Sequence, residues 1–313
     1  MQLMRWKFSA ALFFLLAGCF SIPDTGLVIA QQGDGKGVVV FCVTASGDPT
    51  ATLMEPVLMI DGEKYAAPPA GDSDQTELSE FGRKYFSARQ MYRLLSGGGE
   101  AGFVTVEKSM IDSDCFRAGA AVMTSTKIKL NRNVMALATN SVSLGRGQGS
   151  RRAPTPFERA EGIRLAKQTY LAKGTPAAIL PTLEVVNLTA MDLDAEGKSE
   201  LIGSFVVKKT NGGAERFVLF FIAIPDGKGY RAGFANLERF GAKDIMSGGS
   251  LDSIGADGIY TERLVDQLDI DADGVGEVMT LTTGFEGVNY KIYKRKAGMW
   301  QSIYEFGSYR CAF

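Results

Sequence analysis

One pattern occurs twice in this 313-residue chain, 77 residues apart from Asp192 to Asp269, and it constrains the fold more than any other feature. The segments are MDLDAEGKSELI and LDIDADGVGEVM, and strand-like segments and turns follow both in the same order. The sequence therefore predicts an internal duplication of an acidic loop and a β meander. The corresponding acids are Asp192, Asp194, Glu196 and Glu200 in the first loop, and Asp269, Asp271, Asp273 and Glu277 in the second.

The spacing of these acids is suited to binding a cation. Acids at the first, third and fifth positions of a tight loop face one point, and the acid at the ninth position closes the far side. The glycine at the sixth position, Gly197 or Gly274, allows the backbone to turn around that point. Crowded carboxylates repel one another unless a hard cation neutralises them, and all-oxygen ligation favours calcium. The alternative interpretation is a solvated acidic turn between two strands.

The loops are not EF-hands. An EF-hand has an acid at the twelfth position, where this chain has Gly203 and Thr280, and strand-like residues follow each loop here. The segment from Thr189 to Tyr304 instead resembles FG-GAP and VCBS-type repeats, the integrin-α-like modules with a D-x-D-x-D-G-x-x-D/E loop between strands. The resemblance implies structural Ca²⁺ sites at residues 269–277 and 192–200, with the eight acids named above as ligands. It also implies an extracellular binding or adhesion role.

The pattern along the whole chain predicts an α+β, β-rich fold with two antiparallel meanders and two longer helices. We expect an α+β domain at residues 38–142, a Gly-rich basic linker at 143–155, and a helix followed by the β-rich repeat domain at 156–313. The first helix is predicted at Glu77–Leu95 and a strand at Lys127–Leu137. A capping box at Thr155-Pro156-Phe157-Glu158 predicts the start of the second helix.

The N-terminus has the pattern of an export signal. Arg5 and Lys7 precede an apolar run of 13 residues, Phe8–Phe20, which is too short to span a bilayer. The run ends in Leu16-Ala17-Gly18-Cys19, which resembles a bacterial lipobox. This resemblance implies a signal peptide at 1–18, lipidation of Cys19, a tether at 19–37, and anchorage to a membrane in the periplasm or at the cell surface. The alternative is an ordinary signal peptide cut after Ala30, with Cys19 discarded.

Export places the remaining cysteines in an oxidising compartment. Cys42, Cys115 and Cys311 are an odd number, so one disulfide and one thiol are expected, and the sequence does not choose the pair.

Composition excludes several functions. The chain contains no histidine, which excludes Ser-His-Asp and Cys-His catalysis and every imidazole-ligated metal site. A net charge of −1 argues against nonspecific nucleic-acid binding. Since no catalytic motif is present, we expect a binding or structural protein rather than an enzyme. The alternatives are a carboxylate-dependent hydrolase, which would have a deep cleft with a perturbed carboxyl group, and a purely structural lipoprotein.

A binding role predicts a surface for a protein or glycan ligand. The candidate aromatic residues are Tyr290, Tyr293, Trp300 and Tyr304, although alternating aromatics on strands also pack as core.

Overall fold

The computed structural model describes residues 37–45, 51–62, 64–111, 117–245, 249–255 and 258–310, and antiparallel strands dominate it. The β-rich α+β class is confirmed. The strands are β1 (Val38–Ala45), β2 (Thr52–Asp61), β3 (Lys64–Ala66), β4 (Met91–Ser96), β5 (Gly99–Ser109), β6 (Ala120–Thr126), β7 (Ala136–Thr139), β8 (Glu184–Met191), β9 (Glu200–Lys209), β10 (Glu215–Asp226), β11 (Gly229–Gly241), β12 (Glu262–Leu268), β13 (Glu277–Thr283), β14 (Gly287–Lys296) and β15 (Met299–Tyr309). The helices are α1 (Gln75–Tyr85) and α2 (Pro156–Ala172), with 3₁₀ turns at Ala177–Thr182, Ala242–Asp244 and Leu251–Ser253.

The first seven strands form a sheet that closes on itself. Its order is β1-β7-β4-β5-β6-β2-β3, and β2 also pairs with β1. Thr52–Met54 of β2 pairs with β6, which completes a closed ring of β1, β7, β4, β5, β6 and β2. Closure pairs strand edges that an open sheet would expose. Alternate residues of β1, such as Val39 and Phe41, pack inside this barrel, and α1 adds Leu78 and Phe81 to the same cluster.

The other strands form two four-stranded antiparallel meanders, β8–β11 and β12–β15, each in chain order. In both meanders the acidic loop connects the first strand to the second. The layers stack as α2, then β8–β11, then β12–β15, then the barrel. Tyr170 of α2 packs with Phe221 of the first meander. Burial of each such side chain contributes roughly 1.5–3 kcal/mol to folding.

The candidate aromatic residues of β14 and β15 are largely core. Tyr293 packs with Phe220 of β10, whereas Tyr290 on the opposite face of β14 packs in the cluster shared with the barrel. Tyr290 and Tyr293 are each 1% exposed and Trp300 is 4% exposed. The expectation of an exposed aromatic patch is therefore wrong for these three residues, because the neighbouring layers cover them. Tyr304 is half-buried against the cluster shared with the barrel, and its hydroxyl donates to the Val57 carbonyl at 3.0 Å.

Helix α2 begins at the predicted capping box. Thr155 Oγ1 accepts a hydrogen bond from the Glu158 N–H at 3.2 Å, and Glu158 Oε2 accepts one from the Thr155 N–H at 2.7 Å. Glu158 also receives two hydrogen bonds from Arg152, both at 2.7 Å. Arg152 thereby holds the pKa of Glu158 down at about 2. Phe157 of the capping segment is 56% exposed, because the helix packs through Leu165, Ala166 and Tyr170.

Replacing Glu158 with glutamine is expected to lower the free energy of unfolding by about 1–2 kcal/mol at pH 7, since one cap and two charge-assisted hydrogen bonds weaken. The pKa of Glu158 lies near 2 in the folded state and its ordinary value is 4.5. Its stabilisation is therefore complete above pH 4.5 and is lost as the pH falls toward 2. Urea titrations at pH 7 and pH 3 measure both effects. The matched control is Glu161→Gln, which disturbs a surface pair with Arg164 and should change stability by at most about 0.5 kcal/mol. An equal loss in both variants would contradict the prediction.

Two predicted elements are wrong. The helix expected at Glu77–Leu95 ends at Tyr85, and Met91–Ser96 is strand β4, because its residues pair with β5 and β7. Lys127–Leu137 is mostly not a strand. Strand β6 ends at Thr126, and β7 begins only at Ala136.

Several predictions concern residues outside the described ranges. These include the signal peptide, the lipobox with Cys19, and two of the cysteines, Cys115 and Cys311. Cys42 is buried and forms no disulfide within the part of the chain that the structure describes, and burial raises the pKa of its thiol to about 12. Among the described residues, none of the helices has the length and apolar character needed to cross a membrane.

Candidate metal centre

The two acidic loops lie side by side. The Gly276 N–H of the second loop donates a hydrogen bond to the Leu193 carbonyl of the first at 2.7 Å. Both loops border a cleft of about 380 Å³, which Gly145 and Gly147 also line. The duplication has therefore placed its two candidate cation sites next to each other.

The backbones of the two loops have matching conformations. The fourth position is an alanine in the left-handed region in both, with φ of 56° at Ala195 and 57° at Ala272. The sixth position is a glycine with φ of 80° at Gly197 and 86° at Gly274. An alanine in this region is disfavoured by roughly 1–2 kcal/mol. The same strained position in both loops indicates that the surrounding contacts impose the conformation.

The acids at the first and ninth positions also make matching hydrogen bonds. Oδ2 of Asp192 accepts the Gly197 N–H at 2.9 Å, and Oδ2 of Asp269 accepts the Gly274 N–H at 3.1 Å. At the ninth position, Oε2 of Glu200 accepts the Leu193 N–H at 3.0 Å. Oε2 of Glu277 accepts the corresponding N–H, that of Ile270, at 2.8 Å.

The ninth-position glutamates are the most buried of the eight acids. Glu200 is 2% exposed and Glu277 is fully buried. Burial raises the pKa of both carboxyl groups, that of Glu200 to about 7. A buried carboxylate is unfavourable unless it has hydrogen bonds and a positive partner. Glu277 has such a partner in Lys294, at 2.9 Å, whereas Glu200 forms no ion pair among the described residues, so a bound cation would compensate its charge.

The structure brings six of the eight predicted ligands into two groups. Carboxylate oxygens of Asp192, Asp194 and Glu200 lie within 4.8 Å of one another in the first loop. Glu196 is exposed and is not part of this group. In the second loop the corresponding group is Asp269, Asp271 and Asp273. Glu277 is linked to this group by Lys294, which donates hydrogen bonds to Glu277 and to two of the aspartates.

In each loop, the acid at the first position has one carboxylate oxygen without a hydrogen-bond partner. Oδ1 of Asp192 and Oδ1 of Asp269 are both buried, and neither has a hydrogen-bond partner among the described residues. Leaving a buried charged oxygen without a partner is costly. The repetition of this feature in both loops indicates that these oxygens are available as ligands.

Two basic residues of β14 reach into the loops, and sequence reasoning missed both. Lys294 Nζ donates to Asp271, to Asp273 at 2.7 Å and to Glu277 at 2.9 Å. Arg295 Nη1 donates to Asp194 Oδ2 in the first loop at 2.8 Å. Neighbouring residues on a strand point to opposite faces, so one strand supplies a positive charge to each loop. The basic run at 291–296 was the available signal.

The segment predicted as a basic linker is held in place beside this site. Ser150 Oγ donates to the Asp192 carbonyl at 3.0 Å. Arg151 Nη1 donates to the carbonyls of Met135 and Val265 at 2.7 and 2.8 Å. All three of its arginines donate hydrogen bonds within the protein, and Arg146, which donates to the Val142 carbonyl at 2.7 Å, also lines the cleft.

The residues present fit a hard divalent cation. The donor set is entirely oxygen, and four acids in each loop exceed the one basic side chain that reaches it. Those acids also flank the ends of two paired strands. A bound cation would supply charge neutralisation between these strand ends.

No family model matches this chain, and no curated protein or solved structure matches it either.

Proposed function

We propose that this chain is an exported, lipid-anchored bacterial envelope protein whose β-rich repeats form a calcium-stabilised binding and structural domain. The observation that carries the proposal is the pair of buried, unpartnered oxygens, Oδ1 of Asp192 and Oδ1 of Asp269, at the same position of two loops. Export and the anchor rest on the apolar N-terminal run and the Leu16–Cys19 motif.

The position of the loops favours a structural role for the cation. Asp192 directly follows β8, and Glu200 is the first residue of β9; Asp269 and Glu277 have the same relation to β12 and β13. A cation held by such a pair joins the end of one strand to the start of the next. Binding to the folded state alone stabilises that state.

The proposal predicts saturable calcium binding. Calorimetric titration of the full-length protein in detergent should show binding at both loops, and calcium at a hundred times its dissociation constant should raise the melting temperature by about 5 °C. Changing Asp269, Asp271 and Asp273 to asparagine should abolish one site, and Asp192→Asn with Asp194→Asn should abolish the other.

Glu196→Gln is the matched control, because Glu196 belongs to the first loop but lies outside its cluster. This variant should bind calcium as the wild type does. An absence of saturable binding at millimolar calcium would refute the proposal.

A further inference from the structure

A second cleft, of about 230 Å³, lies between the two meanders and away from the acidic loops. Val218 and Phe220 of β10 form part of one wall, and residues of β12 to β15 form the other. Its volume is below the roughly 300–1,000 Å³ of pockets for drug-sized ligands. The cleft therefore has room for one small molecule or one sugar residue.

The cleft is lined by polar side chains, whereas the packing beside it is apolar. Asn289, Lys291 and Tyr293 share one face of β14, since side chains alternate along a strand. Tyr293 packs with Phe220 in the apolar core between the meanders. Lys291 and Asn289 continue the same face into the cleft, where Glu262 is only 5% exposed. Polar side chains in a gap between two sheets are unfavourable unless they are hydrogen-bonded, and proteins retain such positions mainly at functional sites.

Two acceptors in this cleft lack donors. Oε1 of Glu262 accepts hydrogen bonds from Thr280 Oγ1 at 2.6 Å and Tyr293 Oη at 2.7 Å. Oε2 of Glu262 accepts none within the described ranges, and Lys291 Nζ is 4.0 Å from it. Asn289 has a buried Oδ1 that also finds no partner among the described residues. Burial raises the pKa of Glu262, which is consistent with an incompletely compensated carboxyl group.

The rim of the cleft carries two exposed carboxylates in fixed positions. Asn236 Nδ2 donates to Glu238 Oε1 at 2.9 Å, and Asn289 Nδ2 donates to Glu305.

Tyr260 lines the cleft with its backbone in the left-handed region, at φ of 51°. Its ring stacks on Phe240, with centroids 5.0 Å apart, and Phe285 contacts it edge-on. A tyrosine held in a disfavoured conformation beside a cleft is typical of a functional site.

These features define the chemistry of the occupant. Oδ1 of Asn289 and Oε2 of Glu262 need hydrogen-bond donors, and Glu238 and Glu305 each keep a second oxygen that can accept, so the ligand must be rich in O–H or N–H groups. Lys291 lies within the same cleft and can only donate, so the ligand must also accept a hydrogen bond, which a protonated amine cannot do. A neutral sugar meets both conditions, because each hydroxyl can donate to a carboxylate and accept from the lysine.

We propose that the cleft between the meanders, with Glu262 at its base and Glu238 and Glu305 at its rim, binds one neutral sugar residue of a glycan. This inference rests on the proposed function in that it names the ligand of the binding domain. It does not require calcium in the loops, so either proposal can fail while the other stands.

The test is saturation-transfer difference NMR on the full-length protein in a sugar-free detergent, with glucose, galactose and N-acetylglucosamine as probes. At least one probe should bind with millimolar affinity, as is usual for a single small ligand with few contacts. Glu262→Gln and Glu305→Gln should each weaken binding about fivefold or more, since each loses a charged acceptor. Glu305 is exposed, so its variant keeps the test valid if Glu262→Gln fails to fold.

Glu286→Gln is the matched control, because Glu286 is an exposed residue of the same meander and does not line the cleft. It should bind the probe as the wild type does. The sugar assignment is overturned if none of the three probes binds, if both cleft variants bind normally, or if the diamine cadaverine binds in place of sugars. Repeating the titration with EDTA separates this outcome from that of the calcium proposal.

Discussion

Replacing Lys294 with methionine is expected to tighten calcium binding at the second loop by ten- to a hundredfold. The ammonium group of Lys294 forms ion pairs with Asp271, Asp273 and Glu277, three of the four acids of that loop. A cation must displace this charge or bind against its repulsion. At roughly 4 Å and an effective dielectric constant of about 20, one such interaction amounts to about 4 kcal/mol, which side-chain movement and solvent reduce. Calorimetric titration of the wild type and the variant measures the difference.

The same substitution should destabilise the protein when calcium is absent, because the four acids then repel one another without compensation. The variant should therefore melt below the wild type in EDTA and gain more from added calcium. Lys296→Met is the matched control, since Lys296 lies on the same strand but is exposed and lines no loop. Unchanged calcium affinity in Lys294→Met would show that the lysine does not compete with the metal.

Replacing Asp266 with alanine is expected to lower the free energy of unfolding by about 3–5 kcal/mol, the range for breaking a buried ion pair. Asp266 is fully buried on β12. Its two oxygens accept the Gly97 N–H at 2.9 and 3.0 Å, and Arg151 Nη1 lies 3.9 Å away. Burial raises the pKa of Asp266 to about 6, so the group is ionised at pH 7.5. Urea denaturation at that pH, followed by the fluorescence of Trp300, measures the loss.

The contact matters because it joins parts of the chain that are 169 residues apart. Gly97 lies in the turn between β4 and β5 with φ of 65°, and a Cβ there would be 2.5 Å from the Arg151 backbone nitrogen. Asp266→Asn keeps the shape and one acceptor, so it should lose only about half as much stability as alanine. A loss below about 1 kcal/mol in Asp266→Ala would show that the barrel and the second meander hold together without this contact.

Local patterns in the sequence predicted the elements whose causes are local. Strand β1, Val38–Ala45, is a continuous apolar run of the kind that predicts a strand buried on both faces, and Val38–Val43 is buried throughout. The capping box of α2 needs only Thr155 and Glu158, three residues apart, and it is present. The duplication predicted two meanders with an acidic loop in each. By contrast, Met91–Ser96 matched helical spacing, and only its pairing with β5 and β7 makes it a strand.

The candidate metal centre shows the same division. The spacing of the acids was sufficient to predict that Asp192 groups with Asp194 and Glu200, and Asp269 with Asp271 and Asp273. No spacing rule predicts that Lys294 enters one loop and Arg295 the other, or that Glu196 remains outside. Those outcomes depend on how β14 crosses both loops.

By itself, the sequence determined the β-rich class, the two repeated loops and the start of α2, because each depends on residues a few positions apart. Only the tertiary structure decided the closure of the barrel, the burial of Tyr290 and Tyr293, the basic side chains that reach the two loops, and the polar cleft at Glu262. Each of these requires contacts between distant segments, such as the 101 residues that separate Asp194 from Arg295. Side-chain chemistry at short range can be read from the order of residues, whereas the packing of whole layers determines which distant groups meet and which are buried.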